Sequence, residues 1–578
     1  MCHWLPYNES AFKNQKRKGS AQSMYKKLWL GCLTMVMMVS LLAACSGKGT
    51  QSAEGDGGPD DKVTFTYFNS VAGKDKNTNE TTIGKMLEEQ TGVNFKMEHL
   101  VGDENTKIGT FIASNDYPDV IVPGDSIDKL VSSGSFIALN DLIDQYGPNI
   151  KRVYEPYYNL MKAEDGNIYF LPMSPVVGEF ISDPNVEQGA FWIQRRVLKE
   201  AGYPKVKTLD EYLNLIRDYV KKHPGEGLTG YLALTTQDKF FAFTNPPMHL
   251  AGYPNEGDVL IDMQTHQAND YSDDDITKRY LQELNQLNME GLFDKSSFVD
   301  NYDQYLAKLA SGKVLGFFDY RWQAGQALNN LREASRASGN DDLEYMALPI
   351  VFDENTKDQY LDPPSFINNR GVGISVSAKN PERIIKFFDN LLTDENQILS
   401  QWGIKDETYS VDESGRFYRT PEQIVQTNAE AFRETFGFKY FEYSWPRYGS
   451  GSTLPDGNSV GAGRQPEVAQ MSYTEGDKKI LDAYGIESFS QLFAAPDERP
   501  WFPAWSIPMV QGSPAQIFTQ KKSDLQRKYF PRLVLANPAD FEGIWNEYIA
   551  EFNKLGVKDY EEFITTEIAK KIDRVQGK

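Results

Sequence analysis

The residues that most often carry catalysis are few and scattered in this sequence. Past residue 45 it keeps four histidines, His99, His223, His249 and His266. None of them has the His-Glu-x-x-His spacing of a catalytic zinc site. Paired carboxylates could cleave glycosidic bonds, but the 80 acidic residues past residue 44 produce pairs by number alone. These patterns disfavour catalysis, and we predict a protein that is not an enzyme and holds no cofactor.

Cys45 ends an apolar stretch near the start of the chain. Lys26 and Lys27 precede the uncharged residues 28–44, which finish in Leu-Ala-Ala before Cys45. A basic start, a short apolar run and small residues at a cleavage point are typical of a secretory signal peptide. Residues 42–45 resemble a bacterial lipobox, which implies cleavage before Cys45 and lipidation of its thiol.

We therefore expect residues 1–44 to be removed, with a signal peptide at 24–44 and an upstream extension before it. A permanent membrane helix over 28–44 is the alternative. Cys2 and Cys32 lie in the segment expected to be lost, so the mature chain could form no internal disulfide. Residues 45–61 then form the lipidated cysteine and a Gly-rich tether, which reaches about 20–24 Å on average.

The charge balance excludes one class of partner. Residues 1–44 hold six of the 60 Lys and Arg and one of the 81 Asp and Glu, so the remainder carries 54 basic and 80 acidic residues. Nucleic acid binding depends on basic surfaces that meet phosphates. An excess of about 26 negative charges therefore argues against a nucleic acid partner.

Strands and helices alternate after the tether. Alternating apolar residues predict a strand at 63–69, and the sequence also predicts strands at 93–98, 117–122, 312–320 and 371–377. Apolar periodicity and capping residues predict helices at 80–92, 125–134, 208–220, 273–291 and 380–392, with Asp125 as a helix cap. This alternation predicts an α/β fold with parallel strands, in which ligands bind at the carboxyl ends of the strands.

Polar residues at these strand ends are the first candidates for a binding site. Asn69 follows the strand at 63–69, Asp125 follows the one at 117–122, and Arg370 precedes the one at 371–377. Each of them, taken alone, is more often a turn, a cap or a surface ion pair than a ligand contact. They remain candidates because the strand ends would bring them together.

Several segments, in their order along the chain, resemble family-1 extracellular solute-binding proteins, the lipoprotein components of carbohydrate ABC importers. They are DGNIYFLP (165–172), FWIQRRVLKEAGYPKVKTLDEY (191–212), YLQELNQLNMEGLFDKSSF (280–298), LASGKVLGFF (309–318), GVGISVSAKNPERIIKFFDNLLTDENQ (371–397) and DFEGIWNEYIAEFNKLGVKDYEEF (540–563). No single segment decides the resemblance, but their order together with the lipobox is specific.

The resemblance implies a two-lobed, periplasmic-binding-protein-like (type II) fold with hinge-crossing strands. We place lobe one at 62–172 plus 314–378 and lobe two at 173–313 plus 379–578. Some members of this wider family carry a calcium loop where this chain has 221–231. That loop contains one carboxylate, Glu226, whereas calcium takes six to eight oxygens, so we expect no metal there.

The resemblance also implies a function. The protein would be a monomer on the outer face of the bacterial cytoplasmic membrane, held by its lipid anchor only. It would bind an oligosaccharide and deliver it to ABC permease subunits. Two alternatives stay open: a binding lipoprotein for peptide or another solute, and a surface-anchored glycosidase.

A sugar-binding cleft needs flat aromatic rings and polar groups that bond in pairs. Trp192 and Trp545 lie in helical patterns and are assigned to the core. For any one tryptophan a core position is the commoner outcome, and Trp322 beside Arg321 is the strongest candidate because it follows a predicted strand. The aromatic candidates in loops or after strands are Trp322, Trp402, Trp445, Trp501 and Trp505.

Overall fold

The structure is a computed structural model that describes residues 62–236 and 239–577. The predicted signal peptide, the lipidated Cys45 and the tether lie outside the described residues. None of the helices in these two ranges is both long enough and apolar enough to cross a membrane.

The strands form two main sheets and two small hairpins. In chain order they are β1 Val63–Asn69, β2 Lys76–Asn77, β3 Val93–His99, β4 Val120–Val122, β5 Phe170–Met173, β6 Gly189–Gln194, β7 Thr229–Leu232, β8 Val259–Ile261, β9 Ala268–Asp270, β10 Val314–Tyr320, β11 Tyr345–Leu348, β12 Ile367–Ile374, β13 Ser410–Val411 and β14 Phe417–Tyr418. The hairpins are β8 with β9 and β13 with β14.

The first sheet has the order β2-β3-β1-β4-β12-β5. Strand β1 pairs in parallel with β3 and β4, and β12 runs antiparallel to β4 and β5. Alternation along β1 sends Phe65 and Tyr67 to one apolar cluster and Phe68 to another on the opposite face. The sheet is therefore covered on both faces, and its carboxyl edge carries the residues that follow β1, β3 and β4.

The second sheet has the order β11-β6-β10-β7. Strand β10 pairs in parallel with β7 and antiparallel with β6, and β11 runs antiparallel to β6. Every residue of β10 is buried. Its sequence is apolar apart from Asp319, as is typical of a strand covered on both faces, and the buried Asp319 carboxylate accepts hydrogen bonds from Tyr305 and Gln323.

The α-helices of the described residues surround these sheets. In chain order they are α1 Thr82–Thr91, α2 Glu104–Ser114, α3 Ile127–Ser132, α4 Asn140–Tyr146, α5 Pro148–Tyr154, α6 Tyr158–Met161, α7 Arg195–Glu200, α8 Leu209–Lys222, α9 Phe241–Thr244, α10 Pro246–Leu250, α11 Asp275–Met289, α12 Tyr302–Ala310, α13 Arg321–Ser338, α14 Pro381–Leu391, α15 Asp394–Gln401, α16 Pro421–Asn428, α17 Glu430–Phe436, α18 Pro466–Ser472, α19 Glu475–Tyr484, α20 Pro514–Leu535, α21 Pro538–Phe552 and α22 Val557–Val575.

Local signals in the sequence set several of these boundaries. Helix α1 ends at Gly92, which adopts the left-handed conformation that glycine favours. Helix α8 begins with the capping box of Thr208 and Glu211. The predicted cap at Asp125 is wrong, because Ser126 occupies the cap position of α3 and its side chain makes no capping bond. The side chain of Asp125 pairs with Arg370 instead.

The apolar residues form two large cores, one for each sheet. The first lobe takes its core from residues 65–171 and 366–468, and the second from residues 186–361 and 480–568. This confirms the two-lobed α/β fold.

The lobe boundaries within residues 62–578 need correction. Residues 314–361 were predicted in lobe one but lie in lobe two, because β10 pairs with β6 and β7. Residues 379–468 were predicted in lobe two but lie in lobe one, because Ile384, Phe387 and their neighbours pack into the core of the first sheet.

Three of the candidate tryptophans belong to these cores, which corrects their prediction as ligand contacts. Trp402 is 0% exposed and donates its Nε1–H to the carbonyl of Ser459 at 2.9 Å. Trp445 is 1% exposed and stacks on Tyr67 with 4.5 Å between ring centroids. Trp501 is also buried. The loops that carry these residues fold back onto the lobes, so none of the three rings has a free face.

Trp192 and Trp545 are core residues, as the sequence predicts, but the helical pattern assigned to Trp192 is wrong because it lies on a strand. Trp192 on β6 and Trp545 on α21 are both buried in the second core. Trp192 donates its Nε1–H to the carbonyl of Asp319 on the neighbouring strand β10 at 2.9 Å. Their assignment to the core is confirmed.

Replacement of Trp445 by alanine should lower the free energy of unfolding by about 3–5 kcal/mol, because it leaves a cavity beneath the first sheet. Urea denaturation followed by circular dichroism measures this change. Trp445→Phe, which keeps an aromatic ring on Tyr67, should cost less. An unchanged unfolding free energy for Trp445→Ala would contradict the buried position.

Candidate functional site

Asn69 lies at the carboxyl end of β1 and is almost fully buried. Its side-chain oxygen accepts a hydrogen bond from the N–H of Val71 at 3.0 Å, and its backbone oxygen accepts one from Leu100 at 2.9 Å. Asn69 therefore shapes the turn after β1. It offers little surface to a ligand. A role in a turn was the commoner alternative that the sequence left open for it.

Asp125 and Arg370 meet at the carboxyl edge of the first sheet. Arg370 lies on β12, which neighbours β4, and Asp125 lies in the 3-10 turn Gly124–Ser126 that follows β4. The Nη2 and Nε of Arg370 lie 2.6 and 2.8 Å from Oδ1 of Asp125. Both side chains are exposed, and such a pair contributes little stability. Its polar atoms remain accessible to a ligand.

Glu104, at the start of α2, is a polar residue of this edge that sequence reasoning missed. Its Oε1 accepts a hydrogen bond from Ser126 Oγ at 2.8 Å. Burial raises the pKa of Glu104, and the negative charge of Asp125 adds to the rise. A Cβ at Gly124 would lie 2.3 Å from Oε2 of Glu104, so a larger residue there would displace this carboxylate. The strand-end rule, applied to β3, would have pointed to this segment.

Asn369 is a second missed residue. The ladder between β12 and β5 is irregular between Ile367 and Gly371, which places Asn369 and Arg370 in a bulge. The side-chain Oδ1 of Asn369 is buried and has no hydrogen-bond partner within the described part of the chain. Buried polar atoms are usually bonded, so this one indicates a position where a ligand or water completes the bonding.

Trp322 forms an exposed platform at the carboxyl end of β10. It is 62% exposed, and it belongs to the first turn of α13. Its ring stacks on Phe241, with 6.2 Å between centroids and 26° between planes. Tyr320 packs beside it and is fixed by a hydrogen bond from Asn245 at 2.8 Å. The outer face of the indole is therefore available while its position is fixed from behind.

Arg321 lies beside Trp322 but in a different environment. It lines a cavity of about 700 Å³ to which the second lobe contributes Glu187 and Arg332 and the first lobe contributes Arg433. Its Nη2 donates to Asn329 Oδ1 at 2.6 Å. Burial lowers the pKa of Arg321, and the negative charge of Glu187 opposes the shift. Arg321 thus lies between the lobes, in a cavity that both of them line.

Trp505 is 41% exposed in the 3-10 turn Ala504–Ser506. This turn belongs to the chain segment of the second lobe, yet it lies against β12 of the first lobe. The structure therefore brings Trp505 to the strand that carries Arg370. It does not bring Trp402 or Trp445 to this region, since both lie in the first core.

A buried ion pair holds the segment that carries Trp505. Glu256 is 1% exposed; its Oε1 lies 2.6 Å from Nη1 of Arg499, and its Oε2 accepts the N–H of Ala504 at 2.7 Å. Arg499 also contacts Asp362 at 3.3 Å. Burial raises the pKa of Asp362 to about 7, against the lowering effect of Arg499. No local pattern in the sequence links these residues, which are far apart along the chain.

His223 ties the loop at 221–231 to α7 and to another residue of the same loop. Nε2 of His223 lies 2.7 Å from Glu200, and its Nδ1 lies 3.0 Å from Glu226. The hydrogen bond to Glu200, and the one to Glu226 after it, raise the pKa of His223. Within the ranges that the structure describes, no cluster of three or more His, Cys, Asp or Glu side chains could hold a metal ion.

Residues 457–461 read Gly-Asn-Ser-Val-Gly, the spacing of a hydrolase nucleophile turn. The local structure does not fit that role. Ser459 is fully buried, its Oγ donates to the carbonyl of Gly461 at 3.0 Å, and no named strand directly precedes it. A nucleophile turn presents its serine between a strand and a helix. We therefore assign Ser459 to packing.

The comparisons with known proteins agree with this architecture. Residues 57–398 match the family described as bacterial extracellular solute-binding protein. The chain belongs to that family. The resemblance drawn from the sequence is thereby confirmed.

Two curated relatives of this solute-binding protein have names that state what they serve or bind. It is 23% identical over 578 residues to the fructooligosaccharide ABC transporter substrate-binding protein FusA of Streptococcus pneumoniae serotype 4 (strain ATCC BAA-334 / TIGR4), covering 93% of this chain and 97% of FusA. It is 23% identical over 416 residues to the polygalacturonan/rhamnogalacturonan-binding protein YtcQ of Bacillus subtilis (strain 168), covering 68% of this chain and 76% of YtcQ.

Solved structures share the fold. FusA in complex with kestose aligns with a TM-score of 0.60 at 20% identity, over 88% of this chain and 99% of FusA. The alginate-binding protein AlgQ2 without calcium ion aligns with a TM-score of 0.58 at 17% identity, over 88% of this chain and 98% of AlgQ2. At these identities the alignments establish the common architecture of the solute-binding proteins.

The buried pair of Glu256 and Arg499 gives a stability prediction. Glu256→Ala leaves Arg499 buried with only Asp362 as a carboxylate partner, and should lower the free energy of unfolding by about 3–5 kcal/mol. Chemical denaturation measures the loss. Glu547→Ala, which removes the partner of the exposed Arg532, is the matched control and should cost less than about 1 kcal/mol. Equal losses in both variants would contradict the structural role of Glu256.

Proposed function

We propose that this protein binds an oligosaccharide outside the membrane and delivers it to an ABC permease. The observation that carries the proposal is the exposed ring of Trp322, stacked on Phe241 at the carboxyl edge of the second sheet. A sugar ring has an apolar face that packs on an aromatic ring, and a rim of hydroxyls that bond to polar groups. Asp125, Arg370 and Asn369 supply such groups on the first lobe.

The relatives support the choice of a carbohydrate. By their names, FusA serves a fructooligosaccharide transporter and YtcQ binds polygalacturonan and rhamnogalacturonan. A peptide ligand would call for unpaired backbone groups at a sheet edge instead of aromatic platforms. The proposal includes no catalytic step, because a binding protein releases its ligand unchanged.

The mechanism follows from the two lobes. The chain crosses from the first sheet to the second after β5, and this crossing segment bonds to residues 449–453 through Gly449 N–H to Pro175 O at 2.7 Å and Thr453 N–H to Val177 O at 3.0 Å. A ligand that contacts both lobes binds the closed arrangement more tightly than the open one, so it shifts the population toward closure. The permease would recognise the closed form.

The proposal also covers the location. A diacylated Cys45 would hold a monomeric protein at the outer face of the cytoplasmic membrane, because two acyl chains give stable anchoring where one is marginal. Cleavage before Cys45 would remove residues 1–44, and residues 46–61 would let the folded part move above the membrane.

Trp322→Ala should weaken oligosaccharide binding at least about tenfold, equal to about 1.4 kcal/mol, because the ring supplies a sugar-facing surface. Isothermal titration against neutral and acidic oligosaccharides and peptides measures the change. The melting temperature should stay nearly unchanged, since the side chain is exposed, and Trp322→Phe should retain most of the affinity. Hydrolysis of a bound sugar, or binding of peptides alone, would contradict the proposal.

Cys45→Ser should move the protein from the membrane fraction to the culture medium, because the residue that receives the lipid is lost. Fractionation followed by mass spectrometry of the N-terminal residue measures this. Cys32→Ser is the matched control, since it lies in the segment expected to be removed, and it should leave the protein in the membrane fraction. Membrane association of the Cys45→Ser protein would refute lipid anchoring.

A further inference from the structure

A second cavity lies within the first lobe, apart from Trp322. It has a volume of about 360 Å³ and is lined by three arginines, Arg419, Arg433 and Arg447, together with Gln401. We call these four residues the arginine pocket. The cavity is large enough for a small ion and several waters, each of which occupies about 30 Å³.

Arg447 is the most buried of the three, at 7% exposed. Its Nη2 donates to Gln401 Oε1 at 2.9 Å, and its Nε donates to the carbonyl of Tyr448 at 3.3 Å. Among the residues that the structure describes, no carboxylate forms an ion pair with it. Burial lowers the pKa of Arg447. The nearby Tyr443 and Glu442 oppose this lowering of the pKa, and the guanidinium lies 5.2 Å from the centroid of the Tyr443 ring, but a buried charge that is not paired directly with a carboxylate remains costly.

Arg419 is in a similar position. Its Nε donates to Thr408 O at 3.1 Å, and its Nη2 donates to the carbonyls of Gln401 and Trp402 at 3.2 and 3.3 Å. It forms no ion pair with a carboxylate in the described ranges. Burial lowers the pKa of Arg419 to about 10, and the nearby positive charge of Arg433 adds to the shift.

The pocket therefore holds an excess of positive charge. Arg433 is paired with Glu442, and Glu442 is the one carboxylate among the described residues that line the cavity. Three guanidinium groups thus face a single negative charge, in a chain whose net charge is −21. The remaining lining includes hydroxyl and amide side chains suited to oxygen atoms, Ser400, Thr427, Asn428, Ser450 and Ser472.

We propose that the arginine pocket binds a small oxyanion, either a free ion such as sulfate or phosphate or the acidic group of a sugar. Guanidinium groups bind carboxylate, sulfate and phosphate oxygens in pairs, and each bond is strengthened by charge. The cavity that holds the arginine pocket adjoins the cavity between the lobes, because both are lined by Arg433, Asn428, Asn185 and Ser472. The free-ion form of the proposal does not depend on the proposed function.

The test is isothermal titration of the purified full chain. Sodium sulfate and sodium phosphate are titrated at an ionic strength held constant with sodium chloride, followed by a galacturonic acid oligomer and its methyl-esterified, uncharged counterpart. Binding of either inorganic ion identifies a free-ion site. Binding of the acidic oligomer, without the ester and without the inorganic ions, identifies a sugar-borne group.

Arg447→Gln should reduce this anion affinity at least about tenfold, because it removes a charged donor, while leaving binding of neutral oligosaccharides unchanged. Arg532→Gln, on the surface of the second lobe, is the matched control and should bind as the unaltered protein does. If Arg447→Gln fails to fold, Arg433→Gln, whose guanidinium is partly exposed, takes its place in the anion titrations alone, since Arg433 also lines the cavity between the lobes. No anion binding in any arm, or equal binding after the substitution, overturns the proposal.

Discussion

The separation of apolar residues into two cores is the constraint on which the rest of this structure depends. Each sheet buries its own faces, and the chain passes between the cores through segments such as the one after β5. Apolar burial drives each lobe to fold as a unit. The carboxyl edges of the sheets keep polar and aromatic side chains at the surface, among them the pair Asp125 and Arg370 and the exposed ring of Trp322.

Local patterns predicted the elements well and their partners poorly. The alternation of β1 depends on residues close in sequence and is confirmed, and the caps of α1 and α8 are local features of the same kind. The placement of 314–361 was wrong, because the partners of β10 are chosen by long-range pairing that periodicity does not report. The same limit applies to Trp402 and Trp445. The local sequence around a tryptophan in a Gly- or Pro-rich loop is the same whether the loop is exposed to solvent or packs onto a sheet.

The candidate site shows a similar division. The strand-end rule located Asp125 and Arg370, which the structure brings into direct contact. It could not locate Phe241, which stacks on Trp322, or Glu256, which accepts the N–H of Ala504 beside Trp505. These supporting residues become adjacent to the site only after folding. The structure compensates buried charged side chains in two ways. Glu256 and Arg499 are paired directly, whereas Arg447 is held by a side-chain amide and a backbone carbonyl.

The contact between the turn Ala504–Ser506 and β12 has a mechanical consequence. If the lobes rotate while this contact stays intact, the rotation axis must pass close to it. Displacement in such a rotation grows with the lever arm from the axis, so the ring of Trp505 would move little against β12. Surfaces farther from the axis would move through a larger distance. A partner that contacts those surfaces would therefore distinguish different angles between the lobes most sensitively.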